Sequence, residues 1–494
     1  MYTLGINSAF HDPAACLVWN GQVVAAAEEE RFSRIKHGKR PIPFSAYELP
    51  FNAIDYCLRE AGITLSDLHH IAYSFDPYIL LPGSEETASL TLPLEPGAHP
   101  VDPNWNSPWD PLFVSYIVNA PRQLIGGVPH HLRERLAADK RRYKWHFLEH
   151  HAAHAASAFI PSPFEEAAVL TIDGRGETAT TTYNMAVRKK DTVEIERLGQ
   201  VDMPHSLGLL YEAVTDYLGF LHSCDEYKVM ALASFGKPRY MGDFDEIIKL
   251  GPEGSYRIHL GDLKERFGPP RRPGGPFEQR HYDLACSLQT ALEKSMLEMT
   301  SWLQQKTGSH NLCMAGGVAL NSVMNSDLRD EGPFDNLWVQ PAAGDEGTAL
   351  GAALWVDIME RDLGFFPGWK MNHAFLGPGY SYNEIEAFLK WSKLPYHRMV
   401  NIASETASLL AMGKIVGWFQ GRMEFGPRAL GARSILASPL QASMQQTLND
   451  IKDCEDFRPV APVVLEEEAD DWFVCSEPSP FMLFVHNIRP EKAD

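Results

Sequence analysis

The chain has 494 residues, of which 45% are hydrophobic and 22% charged, the profile of a folded protein of about two to four domains and not of a disordered one. Its 44 basic and 64 acidic residues leave a formal charge of -20, which argues against a polyanion-wrapping protein and removes nucleic acid as the main partner. The opening MYTLGINSAFHDPAACLV carries Asp12 in a short apolar stretch and no basic leader, so neither a signal peptide nor a spanning helix is expected and the reading is cytoplasmic. The seven cysteines, at 16, 57, 224, 286, 313, 454 and 475, are dispersed and form no C-x-x-C pair; reduced thiols follow, not a disulfide frame or a zinc clamp.

Residues 2–30 predict a strand (YTLGI), a polar loop, a second strand (AACLVW), an Asn20-Gly21 hairpin turn and a third strand (QVVAAAEEE). Residues 80–145, rich in Pro, Trp and basic residues, read as an insertion; its Trp105 and Trp109, with Trp145, are either an acceptor pocket or packing anchors. LEHHAAHAASAF, residues 148–159, predicts an alanine-rich helix. At about 3.6 residues per turn it points His150 and His154 the same way and turns His151 off that face. Such a pair is either buried packing or two imidazoles for one ion.

Residues 167–187, AAVLTIDGRGETATTTYNMAV, repeat the first unit: a strand ending in Asp173, a glycine turn and a returning Thr-rich strand. Two such units about 165 positions apart suggest a duplicated α/β domain. Residues 251–280 have the composition of a long surface loop, and 281–306 predict a long helix with Leu288, Leu292, Met296, Met299 and Leu303 in the core. Gly308 ends that helix. NLCMAGGVALN then runs a short strand into Gly316-Gly317 and a new helix, an arrangement that lets backbone N–H groups approach a phosphate or ribose. In PAAGDEGTALGAALW, Asp345 sits in a glycine turn that opens another helix, and the pattern breaks at GFFPGWK, a boundary between domains 1–365 and 370–494.

Two histidines and two strand-end carboxylates, His150, His154, Asp173 and Asp345, make a mixed N/O set that suits a borderline divalent ion such as iron or zinc. No H-E-x-x-H accompanies them, so helical zinc proteolysis is disfavoured, and no G-x-x-x-x-G-K-[ST] loop is present to hold ATP in that way.

LGINSAFHDPAACLV, AEEERFSRIKHG, EHHAAHAASAF, LTIDGRGETAT, HSLGLLYEAVTDYLGF, KVMALASFG, MAGGVALNSVMN and PAAGDEGTALGAAL, in this order, resemble the O-carbamoyltransferases of antibiotic and nodulation-factor biosynthesis. The resemblance implies a duplicated actin-like (ASKHA-type) ATPase fold over 1–365, related to the tRNA threonylcarbamoyladenosine transferase subunit, followed by an α+β YrdC-like domain over 370–494. It implies His150, His154, Asp173 and Asp345 as ligands of a divalent metal, iron(II) before zinc, and Gly174, Gly316, Gly317 and Asn321 at the nucleotide site. In GKIVGWFQGRMEFGPRALGARSILASP and LNDIKDCEDFRPVAP it assigns Arg422, Arg428, Arg433, Lys452 and Arg458 to phosphate and carbamate oxygens, the alternative being a solvated basic patch. Cys454 and Ala432 depart from the basic residue and Asn common in the family. The chain also stops short of an Asn-Thr-Ser-Phe-Asn type loop, so the YrdC-like domain is expected to be incomplete.

The implied chemistry makes carbamoyl-adenylate from carbamoyl phosphate and ATP, then moves the carbamoyl group to a hydroxyl of a small natural-product-like acceptor. His11 and Asp12, which follow the first strand, and Lys36 fall at the implied catalytic centre, with Asp225 or Glu226 as the base and His37, His205 and His222 as structural alternatives. A tRNA threonylcarbamoyl transferase is the neighbouring reading, disfavoured by the charge. A non-catalytic actin-like nucleotide-binding scaffold is a third, disfavoured by the intact set of four ligands. Acceptor identity and oligomeric state, a homodimer included, stay open.

Overall fold

A computed structural model describes residues 1–38, 49–80, 114, 117–118, 120–124, 143–190, 192–361, 368–474 and 478–492. Most of the expected insertion at 80–145, Trp105, Trp109, Cys475 and the break around residue 365 lie outside the described residues.

Five strands form the first sheet: β1 (Tyr2–Asn7), β2 (Ala14–Trp19), β3 (Gln22–Glu28), β4 (His70–Tyr73) and β5 (Lys144–Phe147), in spatial order β3-β2-β1-β4-β5. The first three are antiparallel neighbours and β4 and β5 add in parallel. The Asn20-Gly21 turn has φ of 48° and 80°, the left-handed pair that a tight hairpin of this hand requires. The second sheet repeats the plan with β6 (Glu166–Ile172), β7 (Ala179–Arg188), β8 (Val193–Asp202), β9 (Asn311–Ala315) and β10 (Asn336–Val339), ordered β8-β7-β6-β9-β10 with the same pattern of antiparallel and parallel pairs. The duplication read from two strand-turn-strand units is therefore complete in the topology.

The inner strands β1, β2, β6 and β9 are covered on both faces, which is why they read as nearly continuous apolar runs. On β2, Ala15 and Leu17 face one core with Leu4, Ile6, Ile71 and Tyr73, while Ala14, Cys16 and Val18 face another. On β6, Ala167 and Val169 share that second core, and Leu170 and Ile172 face a third. Two helices fill the space between the sheets: α1 (His150–Phe159) and, later in the chain, α5 (Glu346–Met359). They cross closely because small residues line the contact. A Cβ on Gly351 of α5 would stand 1.9 Å from the Ala153 carbonyl oxygen of α1, so only glycine fits.

Outside the second sheet, α2 (Leu207–Tyr217), α3 (Gln279–Thr307) and α4 (Ser322–Asp330) pack on β6 and β9. The long α3 buries Leu288, Leu292, Met296, Met299 and Leu303, as its spacing predicts, and ends at Gly308 in the left-handed conformation. Residues 251–280 differ from the expected open loop. Their strand Tyr256–Ile258 closes a short hairpin with the preceding Ile248–Leu250, a short helix follows at Leu263–Phe267, and Tyr256 and Phe267 insert into the third core.

Residues 368–492 carry helices α6 (Tyr382–Ser392), α7 (Ile402–Ala411) and α8 (Met444–Ile451) and the antiparallel pair Val416–Phe419 with Arg433–Leu436. Phe425 and Leu483 from this part are buried in the cores of the duplicated fold, and the Leu483 carbonyl accepts a hydrogen bond from Asn325 of α4 at 3.1 Å. Among the described residues no helix is long and apolar enough to cross a membrane.

Candidate functional site

The helical spacing of His150 and His154 puts both side chains on one face of the buried helix α1. The β6–β7 turn delivers Asp173 and the N-terminus of α5 delivers Asp345. His150 Nε2 lies 3.1 Å from His154 Nε2, 3.3 Å from Asp173 Oδ2 and 3.3 Å from Asp345 Oδ1; His154 Nε2 is 3.3 Å and 3.7 Å from the same two oxygens. A tetrahedral ion with bonds of about 2.0–2.1 Å needs ligand atoms about 3.3–3.4 Å apart, so the donor set fits a borderline divalent metal.

The surroundings fit too. His150 Nδ1 lies 3.3 Å from the Ser74 carbonyl oxygen, to which its N–H donates, leaving the Nε2 lone pair toward the cluster. Burial pushes His150 down, but Asp345 and Asp173 outweigh it and hold the ring well above the ordinary imidazole range. The two carboxylates thus call for a positive charge at this buried place, and a proton on His150 and a metal cation compete to supply it.

His151 packs elsewhere. Its Nδ1 is 2.7 Å from the Thr171 hydroxyl, and burial keeps the ring neutral by pushing it well below its ordinary range. Glu177, unassigned in the sequence although it closes the D-G-R-G-E turn, caps α1: its carboxylate accepts from His150 N at 3.0 and 3.1 Å and from Asp76 N at 2.7 Å. Burial raises Glu177 to about 7.

Beside this cluster lies a second, half-exposed group on the loop after β1. Asp12 bridges two imidazoles, with His11 Nδ1 on Oδ2 at 2.6 Å and His37 Nδ1 on Oδ1 at 2.9 Å; His11 Nε2 donates to the Ser223 carbonyl at 2.5 Å. Burial pushes Asp12 up, but His11 and His37 outweigh it and hold the carboxyl well below the usual range. Lys36 Nζ is 3.0 Å from Cys224 Sγ. Burial raises the Cys224 thiol, yet His37 and Lys36 bring it below its ordinary value.

Glu226 accepts from Ser223 N at 2.7 Å, and burial raises its pKa; Asp225 accepts from Leu221 N at 3.1 Å and pairs with Lys228 at 3.2 Å. Phe10, Asp12, His37 and Ser223 all have φ between 44° and 60°. Four non-glycine residues in the left-handed region cost about 1–3 kcal/mol each, a concentration of strain typical of functional loops.

The two groups are wired together. Asn7 Nδ2 donates to the His11 and Asp12 carbonyls at 2.8 and 3.0 Å, Ser74 Oγ donates to Asn7 Oδ1 at 3.2 Å, and Thr348 of α5 donates to Ser74 Oγ at 2.8 Å. Phe10 meets the His150 ring edge-on, with centroids 5.4 Å apart.

The glycine turns sit at the same place. Gly316 has φ of 99°, and a Cβ there would come within 2.1 Å of the Ile172 carbonyl oxygen; Gly317 N donates to Asp173 Oδ1 at 3.0 Å. Gly174 lies against α2, near Glu212 and Leu209. Asn321 caps α4 through Met324 N at 3.1 Å and exchanges amide hydrogen bonds with Gln289 at 2.8 and 3.1 Å, so its side chain is already engaged.

The five C-terminal cations do not converge. Arg422 is a clasp, donating to the Val24, Leu376 and Gly377 carbonyls and to the Tyr56 hydroxyl. Arg433 pairs with Glu424 at 3.0 Å, and Lys452 is exposed. Arg428 reaches the Leu320 carbonyl at 2.9 Å, beside the glycine turn. Arg458 lies over the Tyr227 ring, 4.7 Å from its centroid, with Lys36 5.2 Å from the same centroid. Tyr227 and Cys224 carry no signal in composition or spacing; only their place beside Asp225 and Glu226 points near them. Glu28 and Arg31, paired at 2.7 Å, hold Gly426 N and O at 2.8 and 2.9 Å and tie the C-terminal part to β3.

The repeated strand order is that of the actin-like class of duplicated α/β proteins, and the buried imidazole–carboxylate cluster lies where the two halves meet. The description "Carbamoyltransferase N-terminus" matches residues 2–80 and 130–354, and "Carbamoyltransferase C-terminus" matches 407–494. "Uncharacterized protein sll1178" of Synechocystis sp. is 38% identical over 530 aligned residues, covering 99% of this chain and 80% of its own. Nodulation protein NolNO of Sinorhizobium fredii is 37% identical over 506, covering 98% of this chain and 67% of its own. The crystal structure of T. kodakarensis HypF overlaps 73% of this chain and 48% of its own at 13% identity, with a TM-score of 0.37; the fold assignment stands on strand order instead. The chain belongs to the carbamoyltransferase family, and it is an enzyme of carbamoyl transfer.

Proposed function

We propose that the protein is an ATP-dependent O-carbamoyltransferase. In the C-terminal part water cleaves carbamoyl phosphate to carbamate and phosphate, and a carbamate oxygen then attacks the α-phosphorus of ATP, forming carbamoyl-adenylate and releasing pyrophosphate. The duplicated fold then transfers the carbamoyl group to a hydroxyl of a small acceptor and releases AMP. Adenylation suits the chemistry because carbamate is a poor electrophile and AMP a good leaving group. The observation that carries the reading is the cluster of His150, His154, Asp173 and Asp345, four donors at metal-ligand spacing in a carbamoyltransferase-family fold.

These four residues would hold the divalent ion, iron(II) or zinc, and when bound it supplies Lewis acidity toward a carbamoyl oxygen. Lys36 offers its ammonium to the adenylate. Asp12, held ionised, orients His11 and His37, while Glu226, its pKa raised by burial, is the better-placed acceptor for the alcohol proton than the ion-paired Asp225. The turns at Gly174 and Gly316-Gly317, where Gly317 is exposed, would take the nucleotide, with Asn321 capping the helix that follows. Arg428, on the Leu320 carbonyl, and Arg458, over the same Tyr227 ring as Lys36, would be the C-terminal cations that meet the anion, while Arg422 supports the interface between the two parts and Arg433 braces Glu424 and Gly426.

The test incubates the full chain with carbamoyl phosphate, ATP and a panel of hydroxylated small molecules, with mass spectrometry of the products. A carbamoylated alcohol together with AMP and pyrophosphate is expected. Carbamoyl transfer without AMP would remove the adenylate route, and no carbamoylated product from any alcohol would remove the O-transfer reading.

A further inference from the structure

α5 has Asp345 just before its first turn and Glu360 just beyond its last, about 22 Å away at about 1.5 Å per residue. A second group of metal-ligating side chains stands at that far end. His70 begins β4 and His146 lies on β5, the edge strand. The pairing of His70 with Lys144 and of Ala72 with His146 puts the two histidines on one face of the sheet, two register positions apart. His70 Nδ1 is 3.0 Å from His146 Nε2, and Glu360 Oε1 is 3.9 Å from His146 Nδ1; one donor atom from each of the three residues lies within 4.8 Å of the others.

We infer that His70, His146 and Glu360 form a second divalent-cation site, for a borderline ion of the zinc type with water completing its shell, which fastens the C-terminal end of α5 to the sheet edge. Two imidazoles and a carboxylate are the donor types such an ion takes, and three protein ligands leave positions for water. A helix C-terminus adds partial negative charge. All three residues are partly exposed, so an ion can enter from solvent.

One group competes. Lys144 Nζ is 2.6 Å from the same Glu360 oxygen, and with 62% of its side chain exposed it is a surface ion pair that a divalent ion can displace. Without an ion, the 3.0 Å contact is an N–H···N hydrogen bond between neutral imidazoles. The two states differ in what Lys144 and His146 substitutions do.

The test titrates the full chain, carrying whatever ion it retains on purification, with zinc sulfate by calorimetry, alongside thermal melting. The wild type is expected to take up one further equivalent and to melt higher. His146→Ala weakens that step by at least about 100-fold. Lys144→Ala strengthens it by about two- to fivefold, because the competing pair is gone. Lys144→Ala is on the surface and keeps the test valid if His146→Ala fails to fold. No further equivalent in the wild type, or a Lys144→Ala step no tighter than wild type, overturns the site.

Discussion

The His150 cluster and the Asp12 group sit side by side but are built differently. The first is buried, its four donors come from a helix, a strand end and a helix start, and their spacing is set by rigid elements. The second is partly exposed and lies on loops, and residues more than 200 apart in sequence, such as His11 and Ser223, are joined by single hydrogen bonds. Under the proposed function the contrast is a division of labour: the fixed geometry would hold the ion, and the loop group would meet substrate and move protons.

The largest effect that can break this comparison is loss of a ligand. His154→Ala is expected to lower metal affinity by more than about 100-fold and carbamoyl transfer by about 100- to 1,000-fold or more, checked by metal analysis and product formation. Glu226→Gln is expected to cut turnover by about 100-fold while leaving the metal content unchanged. Equal metal loss in both variants would erase the distinction between the two groups.

Gly351→Ala probes the rigid side. The added Cβ collides with the Ala153 carbonyl at the α1–α5 crossing, so denaturant unfolding is expected to show about 1–3 kcal/mol lower stability. On the loop side, Cys224 is expected to react with iodoacetamide faster than a free thiol near neutral pH, and Lys36→Met to slow it, because the ammonium favours the thiolate.

The smallest effect is a pH dependence. His37 is raised from 6.5 to about 9: burial lowers it, but its hydrogen bond to Asp12 more than compensates. Protonation of the folded state is therefore favoured, and the stabilisation is complete below about 6.5 and lost as pH rises through about 9. Melting curves from pH 6 to 10 check this, and His37→Gln should flatten the difference.

The rigid group was legible in the sequence because its signals are local. Helical spacing pairs His150 with His154, and glycine turns after apolar strands mark Asp173 and Asp345 as strand-end or helix-start carboxylates. The Asn20-Gly21 turn and the two strand-turn-strand units exposed the duplication for the same reason. Cys224, Tyr227 and the Glu28–Arg31 clasp on Gly426 were not legible, since each depends on a contact between distant segments that no periodicity encodes. Arg422 shows the converse. Its charge and its glycine-rich setting suggested an anion site, but four oxygen acceptors from β3, the Tyr56 hydroxyl and residues 376–377 occupy it.

The most direct test is the metal content of the purified full chain, wild type against His154→Ala, measured by mass spectrometry of the elements after exhaustive dialysis. The account predicts about one iron or zinc per wild-type chain and near none in His154→Ala with the fold retained. Equal metal in both, or a wild type that carries none and gains none on adding iron(II) or zinc, would contradict it.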